Sequence, residues 1–410
     1  MTDPIQQWQI PKEVKERESA IRQLFPHACK NATSQLAPNF RGGRAAAITK
    51  LHAIDGEAYG KNRNFLNGNV THLSPYIRHG CITITEAVTF VREHFGQRAE
   101  KLLFEFAWHE YWRLVWYEHK MNILQDMQAP KVELATNDLA DDVLTGQTGL
   151  PCMDDFIHQL STIGYLHNHA RMWLASYIVH WRKMDWQTAA HWMHNQLLDG
   201  NYASNHLSWQ WVASTFSSKP YFFNQENLAK YTHHQYCNRC TTSCPFKSSY
   251  AHLEQQLFRP TQQPANTSKP IIPIAQERVS GNHTIVFIHD EMLNSEHSLL
   301  QLPHDKIYVL DPNLYQDWSI LRLQFIADCL AEMPNVEVWI GKTSKVLAHL
   351  NVGTIITQET PNDLIKQPMM HYSTIWHKEA RVYQKNLNPS DLKSFSRFWK
   401  IAAPTFTGHA

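Results

Sequence analysis

A surplus of either charge is missing from this 410-residue chain: 38 Lys and Arg stand against 37 Asp and Glu, a formal charge of +1. No global basic field is available to hold nucleic acid, so any such contact has to come from a local patch. Also missing is an apolar run near the ~18 residues a membrane span needs, so no transmembrane helix and no membrane partner are expected. The opening stretch MTDPIQQWQI has no positive charge followed by apolar residues, so no secretory signal is expected and the chain reads as cytoplasmic. Cysteine is scarce and odd in number, at 7, which argues against a disulfide framework. Charged residues reach only 18% while hydrophobic residues reach 43%, a balance that excludes disorder as the main state.

What is abundant is indole and imidazole, with 14 Trp and 25 His. They suit either stacking and electron transfer or a bulky helical core. Apolar residues recur at three and four positions in 101–117, 154–161, 170–181 and 186–198, so the first ~255 residues read as helical. Between 259 and 282 four prolines mix with Gln, Thr, Ser and Asn, the composition of an extended linker. Beyond it, 284–288, 306–310, 336–340 and 353–357 read as buried strands, with an amphipathic helix over 319–333. The expected fold is therefore mainly α: a helical domain over 1–258, a linker over 259–282 and a small α/β parallel-sheet domain over 283–410. No G-x-G-x-x-G follows any of these strands, so an ordinary dinucleotide fingerprint is absent there.

Three segments combine polar groups with aromatic ones. Asp199, Asn201 and Asn205 fall within seven residues, followed by Trp209 and Trp211. They can hydrogen-bond the edge of a heteroaromatic ring while the indoles stack or donate electrons; helix capping beside core Trp is the other reading. Asn168, Arg171 and Met172 share one helical face, and a buried Arg needs an acid such as Asp199. Glu105, Trp108 and Trp112 line a third stripe, where aromatics alone would read as core and the Glu is the unusual member.

Taken in order, these segments resemble the FAD-binding domain of the photolyase/cryptochrome family. The resemblance runs from about Arg41 to Tyr221 and includes Gly42-Gly-Arg44, Leu73-Ser-Pro-Tyr76, Glu105-x-x-Trp108, Thr148-Gly-x-Pro151, His167-Asn168, Arg171-Met172, Leu198-Asp-Gly200 and Trp209-Gln-Trp211. It implies an all-helical cup around folded FAD. Val70, Thr71, His72, Leu73 and Ser74 would seat the pyrophosphate, with Tyr59 and Asn64 assisting. His109, Asn168, Arg171, Asp199, Asn201 and Asn205 would meet the cofactor, with Asn205 facing flavin N5. The resemblance further implies a pocket for a flipped cyclobutane pyrimidine dimer in DNA, built from Glu105, Trp108, Asn168, Met172 and Trp211. The implied activity is light-driven repair by electron transfer from reduced flavin, that is, a deoxyribodipyrimidine photolyase-like lyase. A blue-light photoreceptor without repair is the alternative.

The chain departs from the family pattern at several points. His109 stands where the family has Arg, and Asn201 stands where Asp is commoner. Trp209 and Trp186 match the proximal and middle members of the photoreduction chain, but 118–147 contains no Trp to serve as the distal one. Trp181 or Tyr177 is then an alternative exit for the electron. Cys237, Cys240 and Cys244 crowd together and, with Cys152, suit a [4Fe-4S] cluster, similar to iron–sulfur bacterial members of the family. Zinc, with His233 or His234, and free thiols are the other readings. The strands after the linker resemble the family's antenna domain, which normally precedes the FAD domain; no antenna chromophore is assigned, and a plain packing domain is the favoured reading.

Overall fold

The computed structural model describes residues 5–29, 35–267 and 281–408. Its contacts divide the chain into two units. One comprises Met1–Ile54, Thr71–Gly96 and Ile271–Ala410; the other comprises Asp55–Val70 and Gln97–Pro270. The division differs from breaks at 258 and 283, because two amino-terminal stretches group with the sheet.

In the first unit, β1 (Gln6–Trp8), β2 (His283–Ile288), β3 (Asp305–Leu310), β4 (Val336–Ile340), β5 (Val352–Gln358) and β6 (Ser373–His377) form one sheet. Their order is β1-β4-β3-β2-β5-β6. The four expected strands are all present and parallel. The expectation of a purely parallel sheet is corrected, because β1 adds antiparallel to the edge of β4. Both β1 and β6 are edge strands, half-exposed and short, so neither carries the continuous apolar run of the buried strands. The chain steps from β2 to β3 to β4, then crosses to β5 on the far side of β2. The Ile320–Glu332 helix makes the connection from β3 to β4, started by Ser319, whose side chain accepts the amide of Arg322.

That helix also explains why 1–54 belongs with the sheet. Asp328 on it accepts Arg17 at 2.8 Å and Arg41 at 2.9 Å. A Cβ at Gly42 would lie 2.1 Å from the Phe325 carbonyl oxygen, and one at Gly43, with φ +109°, would lie 2.3 Å from the Glu332 carboxyl. Only glycines let this loop press on the helix. Arg78 and Asp290 form a further buried ion pair at 2.7 Å.

The second unit is helical. Its core gathers Trp173, Phe156, Ile178, Trp186, Trp209 and Phe223. The expected helices appear as Glu100–His119, Pro151–Ile163, Asn168–Ser176 and Trp186–Gln196. The end of the expected 170–181 helix, Tyr177–Trp181, is wound as a π-helix, a departure associated with functional sites. Asn201 caps the Tyr202–Ala213 helix by accepting the amide of Ser204 at 3.1 Å. The described start of the expected linker is tied down: the amide of Glu133 donates to the Arg259 carbonyl, Gln263 brackets Leu134, and the amide of Asn266 donates to Asp126 at 2.7 Å. The linker's 268–280 lies outside the described residues. None of the described helices is long and apolar enough to cross a membrane.

Candidate functional site

The site is anchored by an ion pair inside the helical unit. The Asn168–Ser176 helix begins at His167, whose Nδ1 accepts the amide of His169 at 3.1 Å. One turn in, Arg171 donates from Nε to the Leu166 carbonyl at 2.7 Å and from Nη2 to Asp199 Oδ2 at 3.0 Å. Its guanidinium lies 5.5 Å from the Tyr165 ring, and burial pushes that phenol up to about 12. Asp199 sits in the turn before the Tyr202–Ala213 helix, fixed by the Leu198 amide donating to the Gly164 carbonyl at 2.8 Å. The pairing anticipated between Arg171 and Asp199 is thus formed.

Asp199 is 6% exposed, and its Oδ1 has no hydrogen-bond partner. The Nδ1 of His109, reached from the Glu100–His119 helix, is likewise buried and unbonded. Burial, reinforced by Arg113, lowers this imidazole to about 4 against the pull of Asp199, so it is neutral at physiological pH. A bare carboxylate oxygen and a bare imidazole nitrogen are what a polar heteroaromatic ligand needs. Asn205 donates its Nδ2 to the Ala190 carbonyl at 2.8 Å, so it is Oδ1 that can meet a ligand. Asn201 holds its helix by its side-chain oxygen, so the capping role weighed from the sequence is realised for Asn201 and not for Asp199.

A rim of aromatic and acid groups belongs to the same unit. Glu105 Oε1 accepts Arg63 at 2.8 Å, leaving Oε2 as its open acceptor. The Arg63 carbonyl meets His167 Nε2 at 3.1 Å, which links Glu105 to the start of the helix carrying Asn168. Asn168 is exposed and donates to the Met172 sulfur at 3.6 Å. Trp108 packs on Trp112 at 4.9 Å, and Trp211, 36% exposed, tilts on Tyr221 at 5.2 Å. The Arg63 guanidinium lies 5.8 Å from the Tyr59 ring, and the Asn64 carbonyl bonds His169. Arg63 and Tyr165 escaped the sequence reading. A lone Glu on an aromatic stripe called for a cation, but nothing local pointed 42 residues upstream.

The Val70–Ser74 stretch is divided, with Val70 in the helical unit and Thr71, His72, Leu73 and Ser74 in the other. There His72 takes φ +52°, the Leu73 amide donates to Thr71 Oγ1 at 3.3 Å, and a five-residue helix starts at Ser74.

Trp209 and Trp186 are both buried, at 2% and 3% exposure. Trp181 gives its indole N–H to the Pro245 carbonyl, and Tyr177 meets Arg182. Cys152, Cys237, Cys240 and Cys244 are free thiols. Burial, with the charges of Cys244 and Cys237, pushes Cys152 up to about 12, so these sulfurs are neighbours. Among the described residues, however, no three His, Cys, Asp or Glu side chains are placed to hold a metal ion.

Residues 102–249 match the family model of the FAD binding domain of DNA photolyase. A deoxyribodipyrimidine photo-lyase of Streptomyces griseus is 32% identical over 194 residues, 45% of this chain and 42% of the relative. A cryptochrome DASH of Idiomarina loihiensis is 29% identical over 226 residues, 51% of this chain and 49% of the relative. Among solved structures, a cryptochrome of Synechocystis aligns with TM-score 0.44 and 21% identity over 48% of this chain and 46% of its own. The chain spans about half the length of the relatives it matches. The matched segment includes Arg171, Asp199 and His109, and it is over this segment that the chain is similar to the FAD binding domain of DNA photolyase.

Proposed function

We propose that this protein binds FAD and uses light to repair cyclobutane pyrimidine dimers in DNA. The observation that carries the reading is the pair of unpartnered buried atoms, Asp199 Oδ1 and His109 Nδ1, in the unit that also exposes Trp211 and Asn168. FAD, when bound and reduced, supplies the photoexcited electron that splits the dimer. The chain's own residues do the rest. Asp199 and neutral His109 accept and direct polar edges of the cofactor, and Asn205 offers an amide oxygen. Arg171 holds Asp199 in place. Val70, in the same unit, is assigned to the pyrophosphate. Trp108 and Trp211 stack on the extruded bases, and Glu105 and Asn168 hydrogen-bond their carbonyl and imide edges. Each stacked base is worth about 1–3 kcal/mol.

Illumination of the reduced protein with dimer-containing oligothymidine tests this, read as recovery of thymine absorbance. No recovery would favour the second reading, a cryptochrome-like photoreceptor, for which the family's Arg position occupied by His109 is the supporting observation. The four-cysteine set is proposed as cluster ligands only after rearrangement, and assays of iron and acid-labile sulfide check it.

A further inference from the structure

Within the helical unit, Trp173 and Trp181 give their indole N–H groups to neutral oxygens, those of the Asn227 amide and the Pro245 carbonyl. Trp186 differs. Its Nε1 donates at 2.8 Å to Asp126 Oδ1, and Asp126 is 7% exposed. The other oxygen, Oδ2, accepts the amide of Asn266 at 2.7 Å, and the amide of Asp126 returns a bond to the Asn266 carbonyl at 3.3 Å. The carboxylate is therefore held in one orientation, with Oδ1 aimed at the indole. We propose that Asp126 is the proton acceptor for Trp186 when that indole is oxidised.

The inference rests on the proposed flavin photochemistry and on the Trp209–Trp186 electron route. One electron leaves Trp209 for the photoexcited oxidised flavin, and Trp186 refills Trp209. Trp186 is then an indole radical cation, a strong acid at Nε1. The N–H bond breaks, its electron pair stays on nitrogen, and the proton passes along the existing hydrogen bond to Asp126 Oδ1. The products are a neutral indolyl radical and a carboxylic acid; one electron has left the indole, and the proton has not left the protein. Burial, with the nearby negative charge of Asp185, raises the Asp126 carboxyl above its ordinary range and makes it a better base. No Trp lies in 118–147 to serve as the distal member of the route, and loss of the Nε1 proton traps the hole on Trp186 without one. An external thiol returning one electron restores the indole as Asp126 gives the proton back.

Flash excitation of the flavin-loaded protein tests this by transient visible and infrared absorption. Wild type should show the neutral indolyl radical and, in step with it, a new carboxylic-acid carbonyl band that shifts in heavy water. Asp126→Asn keeps the shape but cannot take the proton. It should hold the radical cation, lose the infrared band and shorten the radical's lifetime about tenfold, equivalent to about 1.36 kcal/mol of trapping. Asp126→Glu should restore the neutral radical. A neutral radical of equal lifetime in Asp126→Asn overturns the proposal. So does a wild-type radical that appears without the carbonyl band, a result that stands even if the variants fail to fold. If wild type gives no indole radical, the route and the inference both fall. Dimer repair by the chemically reduced wild type needs no indole oxidation and reports on the function separately.

Discussion

Asp328 and Asp199 are equally buried, each 6% exposed, yet their surroundings are opposite. Asp328, in the sheet-bearing unit, receives two arginines and the amide of Gly42, and both its oxygens are occupied. Asp199, in the helical unit, receives one arginine and keeps one oxygen bare beside an equally bare histidine nitrogen. A buried ion pair that is complete holds a fold together. One left half-made, with its partner pinned elsewhere by Leu166 and Tyr165, marks where a ligand is to complete it.

The comparison predicts unequal consequences. Asp328→Ala should be the most damaging to folding, costing about 3–5 kcal/mol, because it strands buried arginine charge; urea unfolding of the full chain measures it. Asp199→Ala should cost less stability, about 1–3 kcal/mol for the partly buried Arg171 donor it leaves unsatisfied. It should nonetheless strip FAD, read as flavin absorbance retained after desalting. Equal stability losses and full flavin retention would erase the distinction. Trp211→Ala should keep flavin and weaken dimer-DNA binding by about 1–3 kcal/mol, seen by titration. Asn201→Ala removes a helix cap and should cost about 1 kcal/mol of stability. A further effect concerns pH. His109 titrates near 4 in the fold against about 6.5 unfolded, so the unfolded chain binds the extra proton between those values. Its stabilisation is complete above about pH 6.5 and is lost as pH falls toward 4. His109→Gln should flatten that slope, in a plot of unfolding free energy against pH, by one proton's share.

Much of the fold was legible because burial writes itself into local pattern. The strands of 284–288, 306–310, 336–340 and 353–357 are short runs rich in β-branched and aromatic residues, and each was readable alone. The strand at Gln6–Trp8 was not, since Gln-Gln-Trp has no strand signature and pairs only because β4 offers an open edge. The double glycine before Arg44 read as part of the cofactor domain, whereas its steric role is contact with the Ile320–Glu332 helix. At the site, Arg171 and Asp199 were readable as a pair because a buried guanidinium demands an acid. Which of their atoms would remain unbonded depends on packing among four separate segments, and no spacing rule encodes that.

The stretch from Arg259 to Asn266 has a practical consequence. It looked like a tether between domains, yet it clasps 126–134 and supplies the amide that orients the Trp186 carboxylate partner. A fragment trimmed at residue 258 would therefore carry every residue assigned here to the flavin in the helical unit but leave that carboxylate free to swing, while one ending after 266 would keep it anchored.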